Sequence, residues 1–234
     1  MTDVFTGLVR EIGTLTAVVA RGGVTVLTLR APVCAPDLVA GDSLAVDGIC
    51  LTVTSGSARG RAADRGPLVT VEAVAETRRS TTLDDWRPGR RLHLEPALRA
   101  GDRLGGHLVL GHVDGVGRVR RLERAGDAAR LTVQPPPGVA RWLLSKGSVA
   151  IDGVSLTLDA DPGETGFIVS LIPQTLGTTR LGELVPGDGV NLEADVLAKG
   201  AVARGTAADP AGASPLTYER ILARGFRGRR GGQR

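Results

Sequence analysis

Cys50 and Thr52 alternate with Ile49, Leu51 and Val53, so an extended backbone puts a thiol and a hydroxyl on one face and three apolar groups on the other. Ser155 and Thr157 alternate in the same way with Val154, Leu156 and Leu158. Two hydrogen-bonding side chains about 7 Å apart on a rigid strand form a polar wall for a small molecule; the same pattern also describes a solvated strand face. His112, between Gly111 and Val113, is either a proton carrier near neutral pH or an ordinary exposed histidine. Lys146 is one of only two lysines among 29 basic residues, which fits a need for a compact point charge or simple chance. Asp195 follows the run Val190–Glu193 and reads as a functional carboxylate or a surface-turn aspartate.

These residues sit on a repeated framework. Residues 41–54 (GDSLAVDGICLTVT) align without a gap on residues 146–159 (KGSVAIDGVSLTLD), with six of 14 positions identical and four more exchanging one aliphatic residue for another. Gly7-Leu8-Val9 aligns with Gly111-His112-Val113, Gly13 with Gly117, Glu76-Thr77 with Gln174-Thr175, and Pro88-Gly89 with Pro186-Gly187. The offset falls from 105 to 98 along the chain, which places seven extra residues in the first copy, within the polar stretch Thr54–Pro67. The copies differ where a reaction with two unlike roles would need it: Cys50 against Ser155, Leu8 against His112, Glu76 against Gln174, and Ala97 against Asp195.

Alternating apolar residues predict strands near 9–20, 24–30, 43–54 (one strand or two), 68–75 and 90–95, with their equivalents after 107. Glycine (33) and proline (13) are frequent enough to demand many turns and to exclude a helical bundle. The expected architecture is all-β: two tandem six-stranded barrels over 1–100 and 101–200, with a short helix at Gly138–Ser145. Residues 201–234 begin with a linker composition. Ser214-Pro215 then starts a helix whose Tyr218, Ile221, Leu222 and Gly225 share a face, and self-association is the simplest use for that face. The final GFRGRRGGQR has no pattern and is expected to be disordered.

Composition removes several function classes. The net charge of +4 belongs to the C-terminal end: residues 199–234 hold eight basic and two acidic residues, so the remainder is slightly acidic. With six aromatic residues in all, neither a basic nucleic-acid footprint nor a base-stacking platform is present in the repeats. No apolar window approaches the roughly 18 residues of a membrane span and no basic, then apolar leader precedes the first repeat, so a cytoplasmic location is expected. Two cysteines and three histidines lack metal-ligand spacing, and Walker, Rossmann and GxSxG fingerprints are missing.

Phe5-Thr6-Gly7-Leu8-Val9, DGICLTVT, GGHLVLGHVDG, KGSVAIDGVSLTL and LIPQTLGTTRLGELVPGDGVNLEADVLAKG, in that order over residues 4 to about 200, resemble the alpha chain of riboflavin synthase. The resemblance implies two Greek-key barrels and a C-terminal helix that assembles a homotrimer. It implies a transferase reaction without metal or organic cofactor. Two molecules of 6,7-dimethyl-8-ribityllumazine exchange a four-carbon unit and give riboflavin and 5-amino-6-(D-ribitylamino)uracil. Each barrel would hold one substrate, with barrels of neighbouring subunits facing each other; an association with lumazine synthase is left open.

Carried over by position, the resemblance implies a first-barrel pocket of Gly7, Leu8 and Val9, Cys50, Leu51 and Thr52, and Glu72, Ala73, Val74, Ala75, Glu76 and Thr77, with Phe5 beside the substrates. The second would comprise Gly111, His112 and Val113, Lys146, Ser155, Leu156 and Thr157, and Ser170, Leu171, Ile172, Pro173, Gln174 and Thr175. Cys50, His112, Ser155, Thr157 and Asp195 are the candidates for acid, base and nucleophile, with no role assigned to any one. A Cys50 thiolate would require a nearby positive charge. Three features depart from the family pattern: Thr2-Asp3-Val4 stand before Phe5, Arg78 replaces an apolar residue after Glu-Thr, and the 55–67 loop is long and Arg-rich. Two rival readings follow: a lumazine-binding antenna protein without turnover, and an RNA-associated barrel protein that uses the basic tail.

Overall fold

The computed structural model describes residues 3–56, 66–160, 163 and 166–207. Aliphatic residues at every second position form β1 (Glu11–Arg21), β2 (Val24–Arg30), β3 (Ser43–Val46), β4 (Ile49–Gly56), β5 (Leu68–Val74) and β6 (Arg91–Pro96). They close into an antiparallel barrel in the order β1-β2-β5-β4-β3-β6, a Greek key because β2 and β3 are separated by strands that come later in the chain. Leu15, Leu27, Leu44, Leu92 and Leu94 fill its interior and Trp86 packs with them.

The second repeat supplies β7 (Gly115–Ala125), β8 (Ala128–Gln134), β9 (Ser148–Ile151), β10 (Val154–Thr157), β11 (Phe167–Leu171) and β12 (Gly189–Ala194). Every neighbour relation of the first barrel recurs except one: the order β10-β9-β12-β7-β8-β11 lacks a ladder between β10 and β11. Among the described residues, one bridge, Leu158 to Val169, and the bond from the Asp159 amide to the Ile168 carbonyl (2.9 Å) span that seam. The cause is strand length. β4 has eight residues and pairs with β5 as far as Gly56, whereas β10 has four. The second half is therefore a six-stranded sheet in barrel order around its own core, which includes Leu131, Val133, Ile151, Phe167 and Leu192.

Helices are short: α1 (Ala75–Ser80) after β5, α2 (Pro137–Ala140), α3 (Pro173–Thr178) after β11, and α4 (Val196–Ala207). α2 is shorter than the helix expected at Gly138–Ser145, although Trp142 still packs on the second core. Contacts divide the chain after Gly200. α4 continues past that point to Ala207, where the composition suggested a linker. The helix expected from Ser214 and the basic tail lie outside the described residues. Among the described residues, no helix is long and apolar enough to cross a membrane, and no cluster of His, Cys, Asp and Glu could hold a metal ion.

The two halves meet through their tightest turns. Asp47-Gly48 joins β3 to β4 and Asp152-Gly153 joins β9 to β10, all four residues with positive φ, as a two-residue hairpin of this twist requires. The glycines face each other so closely that a Cβ on Gly48 would lie 2.6 Å from the Gly153 nitrogen. Around them the repeats exchange hydrogen bonds crosswise. The Thr82 amide donates to Asn191 Oδ1 and the Arg180 amide to His93 Nε2, both at 2.9 Å. Asn191 Nδ2 donates to the Asp47 carbonyl (2.9 Å), and His93 Nδ1 lies 2.9 Å from the Asp152 carbonyl. Because His93 Nε2 accepts, Nδ1 carries the proton and the ring is neutral, in keeping with burial that lowers its pKa. One guanidinium closes the assembly: Arg180 Nη2 bonds both Asp47 Oδ2 (2.7 Å) and Asp152 Oδ2 (2.6 Å).

Candidate functional site

The stretches before each repeat cross over. Phe5 and Val109 exchange backbone bonds (2.7 and 3.1 Å), and from there each stretch runs onto the opposite half. The Gly7 carbonyl accepts from the Ser155 amide (2.8 Å), and the Gly111 carbonyl from the Cys50 amide (2.9 Å). Both glycines have positive φ, and a Cβ on either would overlap the Cβ of its partner, so glycine is needed twice over. Val9 packs on the second core and Val113 on the first. This corrects the grouping of pockets drawn from the repeat order: Gly7–Val9 accompany Ser155, and Gly111–Val113 accompany Cys50.

Two buried carboxylates fix the crossing. Glu95 accepts from the Thr6 amide and hydroxyl (both 2.7 Å) and from the Gly7 amide (3.0 Å). Its counterpart Glu193 accepts from the Leu110 amide (2.7 Å), and its Oε2 is buried without a hydrogen-bond partner. Burial raises both; Glu193 is pushed up to about 7.

On the first half, Thr52 and Glu72 are cross-strand partners, and both are exposed. Val74, Ala75 and Glu76 are exposed and Thr77 half-buried where β5 becomes α1; Glu76 pairs with Arg79, and the Thr77 carbonyl accepts from the Thr81 hydroxyl (2.6 Å). Leu51 and Ala73 point into the core, so they can offer a ligand only their backbone. Phe5 is fully buried with Ala45, Val109 and Ala150 in the seam and is not available beside a ligand on the open face. Leu8 and His112 are exposed on their crossed stretches. Cys50 is half-buried, and burial raises its thiol pKa; the Ser43 hydroxyl opposes that shift, while Asp3 and Glu193 add to it.

On the second half, Thr157 and Ser170 are exposed, with the Ser170 hydroxyl donating to Asp159 (2.9 Å). Ile172, Pro173 and Gln174 are exposed at the start of α3 and Thr175 is half-buried; the Gln174 and Thr175 carbonyls accept from the Thr178 and Thr179 hydroxyls. Leu156 and Leu171 belong to the core. Lys146 is exposed at positive φ, its amide bound to the Leu158 carbonyl. Asp195 caps α4 by accepting from the Leu197 amide (2.9 Å).

One candidate residue escaped the sequence reading. His107, buried, places Nδ1 2.7 Å from Ser155 Oγ, and its Nε2 is enclosed without a partner. Burial lowers its pKa, while the charge of Asp195 opposes that shift. The signal was available in the alignment, where His107 falls on Asp3, polar opposite polar, two residues before the paired Phe5 and Val109.

A cavity of about 630 Å³ lies beside the first barrel, lined by residues that include Asp3, Thr6, Leu8, Ser43 and Glu95. Its lining omits Cys50, Thr52, Ser155 and Thr157, whose strand faces are open surfaces.

The lumazine binding domain family matches residues 6–97 and again 110–195, one match per repeat. Riboflavin synthase from Mycobacterium bovis is 41% identical over 197 residues, covering 83% of this chain and 94% of that protein. The chain belongs to the riboflavin synthase family. The Bacillus subtilis riboflavin synthase is 37% identical over 195 residues, covering 83% of this chain and 86% of that protein. The crystal structure of LumP complexed with riboflavin shares the fold, with a TM-score of 0.71 over 81% of this chain and 98% of that one, at 22% identity. Each match in this riboflavin synthase family member therefore begins with the glycine-anchored stretch that crosses onto the other half.

Proposed function

We propose that the chain catalyses the riboflavin synthase reaction, the dismutation of two 6,7-dimethyl-8-ribityllumazine molecules into riboflavin and 5-amino-6-(D-ribitylamino)uracil. The observation that carries this reading is the duplicated face with unequal chemistry: Cys50 and Thr52 beside Gly111–Val113, and Ser155 and Thr157 beside Gly7–Val9. Each half binds one lumazine, reading the ring edge through the backbone of the crossed stretches after Gly7 and Gly111 and through the strand hydroxyls. The open strand faces fit closure by a neighbouring subunit in a homotrimer, which brings the two bound molecules together and replaces an encounter in solution by a held geometry.

The second half carries the proton traffic. His107 is neutral at pH 7 and takes the proton of the Ser155 hydroxyl, 2.7 Å away, as that oxygen adds to C7 of the bound lumazine; the imidazolium so formed is stabilised by the charge of Asp195. Cys50 stays a thiol and offers S–H to the ring bound on the first half. The test is a mixture of purified protein and the lumazine: the reading requires one flavin per two lumazines consumed. Bound lumazine without flavin would instead establish an antenna protein.

A further inference from the structure

We propose that Asp3, the position in the first repeat that corresponds to His107 in the second, is a positioning residue that takes the Ser43 hydroxyl proton and thereby holds Cys50 as a neutral thiol. His107 reaches the Ser155 hydroxyl across the crossing, and Asp3 stands in the matching place before the other stretch. It reaches Ser43, whose Oγ donates to Asp3 Oδ2 at 2.6 Å. Ser43 and Cys50 lie on one face of the paired strands β3 and β4, Ser43 opposite Thr52 and Ala45 opposite Cys50, so the Ser43 hydroxyl acts on the Cys50 thiol.

A hydroxyl has one proton. Given to Cys50, it would stabilise the thiolate. Given to the Asp3 carboxylate, it leaves only oxygen lone pairs toward sulfur, and these accept from S–H and repel S⁻. The carboxylate is the stronger acceptor, so the second arrangement prevails. The other charge that acts on Cys50 is Glu193, from the opposite half; Asp3 and Glu193 both disfavour the thiolate. The unequal pair is thus built in: the second half sets a neutral base against its hydroxyl, and the first sets an acceptor that withholds a proton from its thiol.

The inference depends on the proposed function only for placing Cys50 beside a substrate, and it is tested without one. Iodoacetamide alkylation of the full-length protein is followed against pH, with Cys50 separated from Cys34 by peptide mass spectrometry. Asp3→Ala should lower the pH midpoint and raise the rate at pH 7.5 roughly tenfold, the effect of one unit on a thiolate fraction. In a Ser43→Ala background the same substitution should change the rate by no more than about threefold, the charge effect alone. Superimposed profiles for Asp3→Ala and the parent would overturn the proposal. So would a full tenfold change that persists without the Ser43 hydroxyl. Loss of lumazine turnover in the parent would sink the function and leave this result standing.

Discussion

The two repeats are alike in framework and unlike in what they put on it. Asp47 and Asp152, Gly48 and Gly153, Glu95 and Glu193, Gly7 and Gly111 occupy matching places. Against that background Thr82 answers to Arg180, His93 to Asn191, Cys50 to Ser155 and Asp3 to His107. The differences gather at the seam and at the crossed stretches, where the halves touch. A duplicated core needs only volume and pattern, and these survive in both copies. A contact across the pseudo-twofold axis is shared, so one Arg180 serves two aspartates and a second would add an unpaired buried cation.

That asymmetry predicts the largest effect. Arg180→Met leaves two buried carboxylates beside each other with only Arg90, 3.6 Å from Asp47, in partial compensation. We expect urea unfolding to show a loss of about 3–5 kcal/mol, with partial recovery on adding Asp152→Asn. Its counterpart, Thr82→Ala, removes the hydroxyl that accepts from Trp86 Nε1 (3.1 Å) and should lose about 1 kcal/mol. Equal losses at the two positions would remove the distinction between a shared cation and a local hydroxyl.

The next contrast is catalytic. Ser155→Ala removes the partner of His107 and should lower turnover by about 10²–10³-fold. Cys50→Ser keeps a hydrogen-bond donor in place of a thiol and should stay within about tenfold, a barrier change near 1.4 kcal/mol. Single-turnover rates decide between them; a loss at Cys50→Ser as large as at Ser155→Ala would restore the cysteine as a nucleophile.

Glu95 and Glu193 separate by pH. A carboxyl whose folded pKa is raised binds more protons when folded than unfolded, so it lowers stability as pH rises from its ordinary value to about 7, and the penalty is complete above that. Glu193→Gln should therefore stabilise the protein at pH 8 by about 1–3 kcal/mol and change little at pH 4. Glu95, also raised, accepts three hydrogen bonds that an amide would disturb, so Glu95→Gln should destabilise at both pH values. Thermal melts at the two pH values read both signs.

The sequence was most legible where one residue sets its own geometry. Alternation placed the strands of the first half to within about two residues at their outer ends, with 43–54 one span where the chain forms β3 and β4. The two strand faces could be read from spacing alone, whereas the Asp47-Gly48 turn lay inside a single expected span and emerged only with the fold. The exchange of Gly7–Val9 and Gly111–Val113 could not be read either, because alignment shows which residues correspond and is silent on which copy each one touches. His107 was missed for the same reason: its partner Ser155 lies 48 residues away and its aligned counterpart is an aspartate. The open seam between β10 and β11 follows from strand length, which a pattern of alternation leaves loose at its ends.

The smallest effect tests burial at the same seam. Arg91 in β6 pairs with Glu183 after α3, so this contact also joins the halves, but about half of each side chain is in water (50% and 55% exposed). Solvent and salt screen such a pair, and ordering two long side chains offsets much of the attraction. Arg91→Ala should lose no more than about 1 kcal/mol at low salt and almost nothing in 1 M NaCl, whereas the Arg180→Met loss should persist. A salt-independent loss of several kcal/mol at Arg91 would mean that the halves are held at their rim as well as through the buried turns.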